Sequence, residues 1–152
     1  MPSYVIERKK RNLIDCTTLD NNVLLCFFAD ECTKKINLRT LEYVKGIDKI
    51  LKNKNLYESG MVGTDGYFAT FNDSIDIPAE ILYDSGEEAG LSLNDIKTFI
   101  SKNVLDTGDA CNLLECSRQN IAYMIAQKQL TTVREEVRGN LYLKGDVMRK
   151  KW

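Results

Sequence analysis

The feature that most constrains this chain lies near its end, where two short helix signals sit about three residues apart. Thr107 can cap a helix whose Ala110, Cys111 and Leu114 share one face. After Glu115-Cys116, Ser117 caps a second helix, with Ile121, Met124 and Ile125 at i, i+3 and i+4 as an inward-facing apolar triplet. Ala110 and Cys111 are small enough to let the two helices cross closely, and the spacing is that of a helix-turn-helix.

With the triplet buried, Arg118, Gln119, Ala122, Tyr123 and Ala126 point outward. Arginine and glutamine make bidentate contacts to guanine and adenine edges in the major groove. The alanines keep the helix slim, Ala122 can meet a thymine methyl group, and Tyr123 can hydrogen-bond a phosphate. The plainer alternative is that Arg118 and Gln119 are solvated residues at a helix start. Downstream, Leu130 to Val133 and Leu141 to Leu143 bracket a turn containing Gly139-Asn140, a hairpin signature. Arg134, Arg138 and Lys144 lie on or beside it, in reach of phosphates or a minor groove, while Glu135 and Glu136 oppose that role. Asp146 is expected to cap a last helix from Val147 to Trp152, with Trp152 packed back on the core.

This order of helix, turn, helix, hairpin and capped short helix resembles the excisionase-type and MerR-like winged helix-turn-helix family. The matching residues are Thr107, Ala110-Cys111, Leu114, Cys116-Ser117-Arg118-Gln119 and Ile121, then Arg138-Gly139-Asn140-Leu141-Tyr142-Leu143, Asp146-Val147 and Trp152. The resemblance covers residues 104 to 152. It implies that the second helix enters the major groove of double-stranded DNA and that the wing touches backbone or minor groove. The DNA-binding residues expected on that basis are Ser117, Arg118, Gln119, Asn120, Tyr123, Lys128, Arg134, Arg138 and Asn140. Two positions depart from the family. Glu115 stands where the turn usually has glycine, and the basic residue late in the second helix is replaced by Ala126-Gln127, with Lys128 close by.

Residues 1 to 103 resemble no known family and read as an α+β module, a candidate for dimerisation or partner binding, so the whole chain is expected to be α+β. Arg8, Lys9, Lys10 and Arg11 form a basic cluster, either a solvated face or an arm on DNA phosphates. Val23 to Phe28 is apolar throughout, which periodicity alone assigns to neither strand nor helix. Leu38, Leu41, Val44, Ile47, Ile50 and Leu51 predict one amphipathic helix of about four turns, ending near Asn53 to Asn55. Tyr57 to Gly66 reads as a loop, Tyr67 to Phe71 as a strand, Ile77-Pro78 as the start of a new element, and Asp84 to Gly90 as another loop. Ser92, with Asp95 three residues on, predicts a capped helix burying Ile96, Phe99 and Ile100 and closing at Lys102-Asn103.

Charge divides the chain more than its net value of −1 suggests. From Ser101 onward there are nine Lys/Arg against six Asp/Glu; before it, twelve against sixteen. A basic module joined to an acidic one favours a phosphate-rich partner. The chain has no histidine, which removes the commonest general base, and its five cysteines form no CxxC pair. No catalytic residues, no metal and no cofactor are therefore expected, and the cysteines read as buried reduced thiols. The longest apolar run, Val23 to Ala29, is too short to span a bilayer, and the N-terminus lacks a secretory layout, so a cytoplasmic protein is expected. The leading expectation is a sequence-specific DNA-binding homodimer, a transcription regulator or a phage or plasmid accessory factor. The alternative is a protein-protein interaction adaptor built on the same fold.

Overall fold

The computed structural model describes residues 9–135 and 140–151. The first part runs β1 (Leu13–Thr18), β2 (Val23–Phe28), β3 (Thr33–Asn37), α1 (Ile47–Lys52) and α2 (Lys54–Glu58). Then come β4 (Met61–Val62), β5 (Phe68–Phe71), β6 (Ile75–Pro78), α3 (Ala79–Ser85) and β7 (Glu87–Glu88). The last part is α4 (Leu93–Asn103), β8 (Val104–Asp106), α5 (Thr107–Leu114), α6 (Arg118–Ala126), β9 (Leu141–Leu143) and α7 (Lys144–Lys150). Helices combine with three antiparallel sheets, ordered β1-β2-β3-β7, β4-β5-β6 and β8-β9, which makes the chain α+β as expected.

The unbroken apolar run in β2 is explained by cover on both sides of its sheet. Leu24, Cys26 and Phe28 face the main core, where they join Leu13, Cys16, Ile36, Phe71, Ile77 and Leu82. Leu25 and Phe27 point the other way, under α4, whose Phe99 ring meets Phe27 edge-on at 5.1 Å. A strand covered twice loses the usual polar alternation. The turn into β2 is made by Asn21 and Asn22, both left-handed, a conformation asparagine tolerates better than most residues.

Several expected elements differ from what is observed. The single helix over residues 38 to 51 is a 3-10 turn at Leu38–Leu41 followed by α1, because Gly46 takes φ 93° and interrupts the run. A Cβ there would lie 2.8 Å from Ile75 Cγ2. Leu38, Leu41, Ile47 and Ile50 are nonetheless all buried, so the periodic face was right and its continuity was not. The expected loop at residues 57 to 66 includes the end of α2 and all of β4, and the one at 84 to 90 contains β7. Pro78 closes β6 and caps α3.

The clearest difference concerns α4. Ser92 and Asp95 do form a reciprocal capping box. Yet Ile96 and Ile100 are 42% and 52% exposed, and only Phe99 of the expected trio packs inward. The helix turns its Asp95–Phe99–Asn103 side to the sheet, held by Asp95 on Lys35 at 2.8 Å and by Lys102 donating to the Thr18 carbonyl at 2.8 Å. Polar anchors on the sheet thus decide which stripe of the helix goes down.

A second apolar cluster gathers Ala110, Leu114, Ile121, Leu130, Tyr142 and Val147. It meets the first along α7, where Met148 belongs to the main core and Val147 to the second. α7 begins at Lys144 without a side-chain cap, so Asp146 is not the expected N-cap. Its carboxylate instead pairs with Arg149 at 2.8 Å and accepts from the Thr131 amide at 3.2 Å. Trp152 lies outside the described residues.

At the junction, Asp15 is 2% exposed and accepts hydrogen bonds from its neighbour Cys16 N at 2.8 Å, Asn103 Nδ2 at 2.8 Å and Gly145 N at 3.0 Å. Asn103 also donates to the Cys16 carbonyl, and the Arg149 guanidinium donates to the carbonyl of Ile14. Gly145 is needed by proximity, since a Cβ would sit 2.4 Å from the Asp15 carboxyl carbon. Burial pushes the Asp15 carboxyl up to about 6, while the three donors and Arg149 pull the other way. In the unfolded chain it titrates near its ordinary 3.8. The folded state therefore binds this proton more tightly, and its contribution to stability grows as pH falls from above 6 to below 4. Comparing denaturation of the wild type with non-titrating Asp15→Asn, the difference is expected to move toward the wild type by about 2 kcal/mol on acidification from pH 7.5 to 4. A gap independent of pH would refute the assignment.

Candidate nucleic-acid interface

α5 and α6 are positioned by local caps at every turn. Asp106 and Asp109 form a capping box at the start of α5, so the cap lies one residue before the expected Thr107. Its C-terminus closes on Glu115, which adopts φ 53°, ψ 46°, the left-handed conformation in which helices commonly end on glycine. The amides of Glu115 and Cys116 both donate to the Cys111 carbonyl. Ser117 then caps α6, its hydroxyl accepting from the Asn120 amide at 3.1 Å. α6 ends at Gln127, and Lys128 is again left-handed, sending the chain back so that Gln129 N bonds the Met124 carbonyl at 2.8 Å.

The result gives α6 two unlike sides. Ile121 is buried, and Met124 and Ile125 rest against the second cluster. Ser117, Arg118, Gln119, Asn120 and Lys128 are exposed, as is Tyr123 at 58%. None of these is covered by the first hundred residues. A Cβ on Gly108 would lie 3.7 Å from an Arg118 guanidinium nitrogen, so this arginine reaches back beside the start of α5. Asn120 also serves the fold, because its backbone amide is the group that the Ser117 cap satisfies.

The expected hairpin is only partly observed. The ladder partner of β9 is β8, with Val104 opposite Leu143 and Asp106 opposite Leu141. On its other edge, Val133 N donates to the Leu141 carbonyl at 2.7 Å and Leu141 N to that of Arg134 at 2.8 Å, a single bridge. Leu130 is buried in the second cluster instead of serving as a strand residue. Arg134 is exposed beside the bridge. Asn140 is half-buried and donates to the Tyr142 hydroxyl at 3.4 Å, so part of its hydrogen-bonding capacity is spent internally. Arg138, expected at the tip of the wing, lies outside the described residues.

Charge on this surface is modest. Arg118, Lys128 and Arg134 provide the exposed cations, and exposed Glu115 and Asp109 stand among them. Of the N-terminal basic cluster, Lys9 and Lys10 are exposed, while Arg11 is engaged 3.7 Å from Asp84 and 5.1 Å over the Tyr83 ring. Arg8 is not among the described residues. Only Cys16 and Cys26 are fully buried thiols; Cys32, Cys111 and Cys116 are half-exposed, contrary to expectation. Among the described residues no group of three or more cysteines and carboxylates is disposed to hold a metal ion, and no helix is long and apolar enough to cross a membrane.

The left-handed Glu115 carries a backbone cost that glycine avoids. Glu115→Gly is expected to stabilise the chain by about 1 kcal/mol, read as a higher denaturant midpoint at unchanged slope. A lower midpoint would show that the turn is not strained.

No protein-family model matches this chain, and neither a curated protein nor a solved structure was found to be similar to it.

Proposed function

We propose that residues 104 to 152 form a winged helix-turn-helix that binds double-stranded DNA, in a cytoplasmic, non-catalytic transcription regulator or mobile-element accessory factor. The observation that carries the reading is the division of α6, with Ile121 buried and Arg118, Gln119 and Tyr123 exposed. In this reading α6 enters the major groove, Arg118 and Gln119 read base edges, and Ser117, Tyr123, Lys128 and Arg134 meet phosphates. Arg138 and Asn140 belong to the wing on the same reading. Arg118→Ala is expected to weaken binding to a selected duplex by about 1–3 kcal/mol, five- to over a hundredfold, and to relax preference at one base pair. Mobility shifts on duplexes selected from a random pool measure both effects. Binding unchanged by the substitution removes Arg118 as a base reader.

One such module makes few contacts, and two half-sites supply more. The proposed partner is a second copy, docked through Leu91, Leu93, Ile96 and Ile100, four large aliphatic side chains exposed along one segment. The polar flanks suit self-association. Ser92, Asn94 and Ser101 are uncharged and both donate and accept, Asp95 is satisfied by Lys35, and Lys97 is the one charge beside the stripe with no partner among the described residues. Ile100→Lys, at a site already half-exposed, is expected to convert a dimer to a folded monomer in sedimentation velocity. A monomeric wild type at tens of micromolar would refute this contact.

The same stripe favours the second reading, an adaptor in which α4 binds a different protein. Salt separates the two. DNA affinity falls steeply as salt rises, whereas an apolar protein contact does not weaken in that way.

A further inference from the structure

We infer that Cys111 and Cys116 constitute a modification site, a dithiol that low-molecular-weight disulfides convert to an internal disulfide clasping the turn before α6. The geometry comes from the cap. The Cys116 amide donates to the Cys111 carbonyl at 3.1 Å, folding the chain back over the last turn of α5 around left-handed Glu115. The two residues bonded this way commonly share an apolar side-chain contact. Here both side chains of that pair are cysteine thiols, and both pack against the same apolar cluster. Both are half-exposed at the rim of the second cluster, so a small reagent reaches them.

The other cysteines lack one or other requirement. Cys16 and Cys26 face each other across β1 and β2, but they are 1% and 0% exposed, and burial pushes both thiols far up. Cys32 is accessible, yet its neighbours are the Tyr83 hydroxyl and the Glu88 carboxylate. The pair at the turn combines a backbone bond between its members with access.

The chemistry balances with a reagent R–S–S–R. One cysteine thiolate attacks a reagent sulfur, breaking the S–S bond, forming a mixed disulfide and releasing a thiolate. The second cysteine thiolate attacks the protein sulfur of the mixed disulfide, forming the Cys111–Cys116 bond and releasing a second thiolate. The protein loses two electrons and two protons, and the reagent leaves as two thiols. Burial and the adjoining Cys111 raise the Cys116 thiol above its ordinary value. Its thiolate fraction is small at neutral pH, which makes the oxidation slow and favours mildly alkaline conditions. The inference stands apart from DNA binding and does not depend on it.

The test incubates the full chain with oxidised glutathione, blocks free thiols, and digests with trypsin after denaturation. Cleavage after Lys102 and Arg118 isolates Cys111 and Cys116 on one peptide, while cleavage after Arg11 and Lys34 puts Cys16, Cys26 and Cys32 on another. The expected product is a 103–118 peptide lighter by two hydrogens and unblocked at both cysteines, restored by dithiothreitol. Cys111→Ser or Cys116→Ser should stop at the mixed disulfide. Amide exchange at Glu115 and Cys116 should slow at least about tenfold in the oxidised wild type. Two blocked cysteines on that peptide, a persistent glutathione adduct in the wild type, or unchanged amide exchange would each overturn the clasp.

Discussion

One carboxylate held out of water joins the two ends of this chain. Asp15 on β1 accepts from the end of α4 and the start of α7. A buried charge without partners is strongly destabilising, whereas one with three donors is tolerated. That balance is visible in the carboxyl itself, which burial raises and the donors hold to about 6. The joint also explains two otherwise unremarkable residues. Asn103 bonds both Asp15 and the Cys16 carbonyl, and Gly145 is small because the carboxyl group fills the space a side chain would need.

Much of the proposed interface was legible in the sequence, because its determinants are local. The Ser117 cap and the Ile121, Met124 and Ile125 stripe require only residues a few positions apart, and the observed α6 follows them. Glu115 stood out only by comparison with the resembled family, as a glutamate where glycine is usual, and the left-handed turn is kept all the same. What escaped notice was set by distant partners. Nothing near residue 96 shows that Lys35, sixty positions earlier, would claim Asp95 and turn Ile96 outward. The break at Gly46 went unread because an isolated glycine is tolerated inside many helices, and its close neighbour Ile75 is supplied by a different strand. The wing was mispaired for a similar reason. A turn signal suggested that Leu141 to Leu143 would pair with the segment just before them, whereas their ladder partner is β8, which precedes α5.

The surface of α6 carries shape more than field. Arg118, Lys128 and Arg134 are interrupted by Asp109 and Glu115, so long-range attraction to a polyanion is weak and directional hydrogen bonds have more to do. A module of that kind suits recognition through paired copies, where doubled contacts compensate for a shallow potential. The apolar stripe on α4 is separated from α5 only by the three residues of β8. A second copy docked there would fix the spacing of the two α6 helices through a very short lever.

α7 behaves as an axle common to two gears. Consecutive residues on a helix point about 100° apart, and Val147 and Met148 use that angle to enter different cores. Rotating α7 to accommodate a movement among α5, α6 and β9 would move Met148 within the main core in the same stroke. With Gly145 seated on Asp15 and Arg149 on Ile14, such a rotation has almost no free play. Through these two bonds a displacement of α7 is felt directly at β1.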